Sequence, residues 1–401
     1  MSYAPRTARL SFLTLIAAAF VLALLPAAAG AGANQAVRGS HAVHGNHALK
    51  GKGHVVGTMT RNLYLGADLT PAILAPTPEA FVAANGQILN EVTENNFPVR
   101  AKGLAEEILD AKPDLVGLQE VALWRTAPVN FEVLAKGPSA TTVRYDYLQE
   151  LLAELNSGKG KDGKGKPQYE VVVVQEEFDL EAPADEDKNP ETGPLGADIN
   201  GRLTMRDVIL ARRGAGVQTW NEQGGNFKTL LTVPILSGTS SLTIKRGWTA
   251  TDAKVRGSHA FRFVNTHLEA FNPLIRAAQA GELVAPTGPA TSELPVVLLG
   301  DLNSDDDTVE GEDKLAYKVL TDAGMVERST NKPLSCCLDS SLLEVGKGGD
   351  EDDFDHQVDH IMTRDPAQVT LVSSSVSGIQ PVNGFWNSDH AGVFSALHFD
   401  H

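Results

Sequence analysis

The sequence predicts an α/β domain in which strands outnumber helices and pair mostly antiparallel. Two patterns carry this expectation. An apolar helical stripe steps into a short apolar run at residues 99–111 and 115–118, and the step recurs at 147–155 into 169–174. Further apolar runs at 208–211, 227–235, 242–248, 261–266, 295–299, 358–362, 369–376 and 392–399 succeed one another directly in many places. That is the arrangement expected of antiparallel neighbours. No fixed-period repeat divides the chain, and the candidate functional motifs run from residue 62 to residue 390. Residues 55–401 are therefore read as one domain.

The elements have local causes. Thr77-Pro78-Glu79 offers an N-cap followed by proline at the first helical position, after which Phe81, Ala84, Ile88 and Val92 share a helical face. In the next helix Ala101, Leu104, Ala105, Ile108 and Leu109 form the stripe, and Lys112-Pro113 stops it. Leu115-Val116-Gly117-Leu118 then suits a buried strand. Residues 158–165, with Lys159, Lys161 and Lys164, and the carboxylate- and proline-dense stretch 176–191 read as solvated loops. The acidic runs at 305–307 and 350–355 read the same way, ahead of an extra Ca²⁺ site.

The first residues are a separate problem. Arg6 and Arg9 precede an almost wholly apolar run from Leu10 to Leu25, then Pro26 and small residues through Ala33. That order is a secretory signal peptide, residues 1–33, and the apolar core is shorter than the ~20 residues a spanning helix needs. Residues 34–54, with His41, His44, His47 and His54, follow as a flexible Gly- and His-rich linker. The expected product is secreted, has no transmembrane segment and needs no obligate protein partner.

With 34 basic and 50 acidic side chains the net charge is −16. This excludes a general nucleic-acid binder held by Lys and Arg, but not an enzyme that meets phosphate through a metal ion. The two cysteines, Cys336 and Cys337, are adjacent. They form either a strained vicinal bridge or two thiols, and neither staples the fold.

Five apolar runs end in, or lead away from, clusters of Asn, Asp, Glu or His. Leu118 leads to Gln119-Glu120, Val264 to Asn265-Thr266-His267, and Leu299 to Gly300-Asp301-Leu302-Asn303. Val358-Asp359-His360 opens one strand, and Ser388-Asp389-His390 precedes another. Ionisable groups at strand ends cost desolvation unless paired or metal-bound, so five together imply one sheet edge gathered around a charged ligand. Oxygen donors at Asn62, Glu120, Asp301, Asn303 and Asp389 suit Mg²⁺, Mn²⁺ or Ca²⁺, not structural zinc. Two histidines within reach of acids suit acid–base work. Together they fit phosphate-ester hydrolysis.

With Thr60-Arg61-Asn62-Leu63, these motifs in this order resemble the endonuclease/exonuclease/phosphatase superfamily over residues 56–399. The resemblance implies a four-layer α/β sandwich, two mostly antiparallel sheets packed face to face and flanked by helices. It also implies that Asn62, Glu120 and Asp389 hold the catalytic metal, Mg²⁺ first. By the same resemblance His390 acts as base or binds the scissile phosphate, oriented by Asp359. Asp301 and Asn303 position or deprotonate water and hold a phosphate oxygen. His267 resembles the second imidazole of the nuclease branch, with Asp207 the expected orienting carboxylate and Arg206 a phosphate contact. Nucleic acid is the first substrate class this implies. A phospholipid follows, as in sphingomyelinases, or a small phosphorylated metabolite. Intact Glu120, His267, Asp301, Asn303 and His390 argue against an inert binding module on the same fold.

Overall fold

Thr77 accepts the Ala80 N–H and caps the helix Pro78–Glu94. Left-handed residues at Asn96 and Lys112 bracket the helix Phe97–Ala111. Both are as the apolar stripes require. The computed structural model describes residues 55–158, 168–306, 313–329, 334–343, 354–364 and 369–399. The expected signal peptide and linker, most of the lysine-bearing loop and part of each acidic run lie outside the described residues.

In chain order the strands are β1 (Val55–Asn62), β2 (Leu115–Gln119), β3 (Leu123–Ala127), β4 (Thr142–Asp146), β5 (Tyr169–Ala184) and β6 (Ile199–Arg212). Next come β7 (Gln218–Asn226), β8 (Leu231–Ile235), β9 (Ser240–Ile244), β10 (Gly247–Lys254) and β11 (Phe261–His267). The last are β12 (Val296–Asp301), β13 (Val326–Glu327), β14 (Asp359–Arg364), β15 (Val369–Ser377) and β16 (Gly392–Phe399). One sheet runs β15-β16-β1-β2-β6-β3-β4, with β5 also on β6, and a second runs β13-β14-β12-β11-β10-β7. β8 and β9 form a hairpin of their own. Among these pairings β1–β2 and β11–β12 are parallel and the rest antiparallel.

The two sheets pack face to face through Val56, Leu115, Ile209, Phe263, Val297, Leu299, Ile361 and Val393. Gly117 permits their close approach, since a Cβ there would lie 2.2 Å from Leu299 Cδ1. Asn265 crosses the interface, donating to Leu118 O at 3.1 Å and Val208 O at 3.3 Å. The helices Pro78–Glu94, Phe97–Ala111 and Tyr147–Leu155 cover the first sheet. Pro273–Val284 and Leu315–Asp322 cover the second. This is the four-layer α/β sandwich.

Three sequence expectations change. The stretch 176–191 is not all loop: β5 continues to Ala184 because it pairs with β6 along its length. Glu181 is buried there, accepting the N–H groups of Ser139 and Ala140. The run 242–248 divides at Lys245-Arg246 into β9 and β10. Finally, β3, β4, β7 and the two helices over the second sheet were not anticipated; β7 is polar apart from Trp220 and mostly exposed.

Candidate active site

Parallel pairing aligns strand ends. β1 and β2 finish side by side with Asn62 opposite Gln119, and β11 and β12 with His267 opposite Asp301. Asp359 opens β14 opposite Asp301. The chain then leaves these strands through left-handed non-glycine residues: Tyr64 (φ 56°), Glu120 (φ 54°) and Asn303 (φ 49°). Each such conformation costs about 1–2 kcal/mol and is held by a local bond. The Tyr64 N–H donates to Asn62 Oδ1 (2.9 Å), the Ala122 N–H to Glu120 O (2.7 Å) and the Asn303 N–H to Asp301 Oδ1 (2.9 Å). Gly300 (φ 148°) precedes Asp301, and a Cβ there would sit 1.9 Å from Thr266 O.

Asp301 Oδ2 is the hub. Asn62 Nδ2 donates to it at 3.0 Å, His267 Nε2 stands 3.4 Å away and His390 Nε2 3.6 Å away. His390 Nδ1 donates to Asp359 Oδ2 at 2.8 Å, because a carboxylate only accepts. Arg246 Nη1 lies 2.9 Å from His267 Nδ1. A guanidinium only donates, so Nδ1 carries no proton, His267 is neutral and its Nε2–H faces Asp301. Burial, then Arg246 and His390, accordingly hold His267 well below the ordinary histidine value.

Glu120 Oε2 accepts the Leu65 N–H at 2.7 Å, and Oε1 is 4.0 Å from His267 Nε2. Burial raises Glu120 against the opposing charges of Arg246 and His390. Burial and Glu120 push Asp389 up to about 6, and burial raises Asp301 as well. Burial alone would lower His390, but Asp359, Asp301 and Asp389 raise it well above the ordinary value. Asn303 Nδ2 donates to Leu268 O at 3.0 Å. Cys336, bonded to Cys337, places its Sγ 3.5 Å from His390 Nε2.

Such crowding of acids calls for a cation. Asp301, Asp359 and His390 bring potential ligand atoms within 4.8 Å of one another, and Asp359 Oδ1 is buried without a hydrogen-bond donor. Glu120 and Asp389 both line the adjoining cavity, and Glu120 helps to raise Asp389. Oxygen donors in this number fit a hard divalent ion.

Two residues stand elsewhere than expected. Arg206 donates to Val121 O (2.9 Å), Ala122 O (3.2 Å) and Asp146 Oδ1 (2.7 Å). Its guanidinium pins the chain after Glu120 instead of reaching toward phosphate. Asp207 does not meet His267. It faces Glu177, and burial together with that neighbour drives it well above the ordinary carboxylate value, while burial pushes Glu177 up to about 7. The partner of His267 is Arg246, which sequence reasoning passed over. Its one signal was a basic pair, Lys245-Arg246, inside an apolar run.

A sequence profile of the endonuclease/exonuclease/phosphatase family matches residues 84–390. The chain belongs to this family. Its members are phosphoesterases, and they generally use divalent metals. An endonuclease/exonuclease/phosphatase family protein from Bacteroides thetaiotaomicron has the same fold. It is 15% identical with a TM-score of 0.51, over 87% of this chain and 99% of that one. Lower in similarity are a mannosyl-6-phosphatase from the same organism and D. rerio TDP2 complexed with single-strand DNA product. The first is 14% identical, with a TM-score of 0.45 over 85% and 99% of the two chains. The second is 14% identical, with a TM-score of 0.43 over 86% and 98%. No curated protein matches the chain.

Proposed function

We propose that this family member hydrolyses phosphodiesters with a divalent cation, Mg²⁺ first, held by Glu120 and Asp389 with the Asn62 amide beside them. One observation carries the reading: groups from both sheets, Asn62, His267, Asp301 and His390, meet at a single carboxylate oxygen. Bound at this cluster, the cation supplies a Lewis acid for a phosphoryl oxygen and offsets the charge that develops there.

The chain's own residues do the rest. Asp301, steadied by Asn62 and the Asn303 N–H, takes a proton from the attacking water. His390 binds the scissile phosphate through Nε2, and Asp359 is the positioning residue that fixes its ring through Nδ1. His267 presents its Nε2–H toward the same space, and Asn303 holds a phosphate oxygen. The leader read at residues 1–33 would export the enzyme. Nucleic acid is the substrate class that the motifs put first. The apolar cavity beside the cluster favours the second class, a lipid phosphoester.

The test is hydrolysis of bis(p-nitrophenyl) phosphate with Mg²⁺, before and after chelation. Glu120→Ala and His390→Ala are each expected to lower kcat by at least about 100-fold with the circular dichroism spectrum unchanged. Near-normal turnover in either folded variant would overturn the assignment.

A further inference from the structure

A cavity of about 560 Å³ opens beside the cluster. Glu120, Asp389 and Arg246 stand at its polar end, and Arg246 is the one Lys or Arg among the described lining residues. Most of the remaining lining is apolar, with Asp68, Thr70, Asn85, Asp339 and Ser340 set among it. Leu180, Leu203 and Met205 of β5 and β6 form its floor, and Phe81 and Ile88 of the helix Pro78–Glu94 form a wall. Ile73 and Leu242, from the short helix Thr70–Ile73 and from β9, also line it and are half-buried.

Its borders are local. Leu89 of the helix packs onto Gly201, where a Cβ would lie 2.9 Å from Leu89 Cδ2, and Ile235, Leu242 and Ile244 of the hairpin β8–β9 line the cavity. Interiors are otherwise packed to crystal density, and apolar walls without partners forfeit their dispersion contacts. A cavity of this volume, mostly apolar and reaching Glu120, Asp389 and Arg246, has the form of a site for one amphiphilic small molecule.

We infer that the cavity receives the alkyl chain of the substrate, so that the enzyme acts on phosphoesters of single-chain lipid alcohols. The phosphate sits at His390 and Asn303, against the cation that Glu120 and Asp389 would hold where the cavity opens, and the chain lies between the helix and the first sheet. The reaction consumes one water. Its oxygen forms a bond to phosphorus, the bond from phosphorus to the lipid oxygen breaks, and a proton from that water ends on the released alcohol. The chemical step rests on the hydrolytic reading above; binding of the chain does not.

Butyl-, octyl- and dodecylphosphonate, which cannot be hydrolysed at the P–C bond, separate the two. Calorimetric titration of the full chain with Mg²⁺ is expected to show affinity rising at least about 50-fold from butyl to octyl. Full burial of each methylene, worth about 0.8 kcal/mol, would give about fourfold per group. Leu242→Trp and Ile73→Trp, both half-buried sites, are expected to cut that ratio below about tenfold. Equal affinity along the series in the wild type overturns the inference. So does a ratio that both folded variants retain, which would place the chain elsewhere. Stronger binding of a single-stranded oligonucleotide than of octylphosphonate overturns it in favour of nucleic acid. Chain-length dependence without turnover of bis(p-nitrophenyl) phosphate sinks the hydrolytic reading and leaves the lipid site standing.

Discussion

Replacing His360 with glutamine should remove a pH-dependent part of the stability. His360 follows Asp359 in β14 and so faces the opposite side of the sheet. It is fully buried, with Nδ1 2.7 Å from Glu327 Oε2 and Nε2 2.9 Å from Ser304 O. Both partners only accept, so both ring nitrogens carry protons and the imidazole is charged. Burial alone would lower it, but Glu327, the Ser304 carbonyl and Asp359 raise it to about 9. Glu327 moves down, because His360 and Ser329 outweigh its burial.

A histidine raised from its ordinary 6.5 to about 9 contributes about 3 kcal/mol of stability. Because the folded value is the higher one, this contribution is complete below pH 6.5 and is lost as pH rises through 9. The same pair viewed from Glu327 is lost on acidification through the carboxylate range. One interaction underlies both shifts, so they are not added. His360→Gln also removes the charged partner of Glu327, which keeps the Arg328 N–H and the Ser329 N–H and hydroxyl as donors. Urea unfolding of both proteins at pH 6.0, 7.5 and 9.5 measures the two effects. The wild type should lose about 3 kcal/mol more than the variant between the first and last pH. Parallel curves across that window would refute the charged pair. Since Ser304 follows Asn303, loss of the pair should also loosen the turn that holds Asn303 beside Asp301.

Two further outcomes follow from the site. Arg206→Ala removes three hydrogen bonds, one of them to Asp146, and should lower stability by about 2–3 kcal/mol while leaving KM for bis(p-nitrophenyl) phosphate within twofold. A tenfold rise in KM would return Arg206 to substrate binding. Asp359→Asn keeps the volume but presents an amide to His390 Nδ1, and kcat should fall at least about 100-fold with KM nearly constant. Matched losses in kcat and thermal stability would make Asp359 merely structural.

Much of the architecture was legible because local patterns report burial. The stripe at Phe81, Ala84, Ile88 and Val92 marks a helix on a core wherever that core lies, and each of these residues is buried against the first sheet. The strand-end motifs were legible for a similar reason: polar residues closing an apolar run must meet a partner or a ligand. The buried half of β5 was not legible. Glu177 and Glu181 look like a solvated acidic stretch until their partners arrive from residues 139, 140, 200 and 207. Arg246 escaped notice for the same reason, since nothing near it in the chain announces His267.

The sequence by itself determined which chemical groups end the strands and in what order, because composition and periodicity act over a few neighbouring residues. Tertiary structure alone decided which of those groups meet. Register between strands set His267 against Arg246 instead of Asp207 and turned Arg206 inward to backbone carbonyls. Packing of the helix Pro78–Glu94, β5, β6 and the hairpin β8–β9 enclosed a largely apolar cavity beside the acids. A hydrogen-bond partner is a matter of a few ångströms in space, and residues more than a hundred positions apart reach that distance only when both sheets have formed.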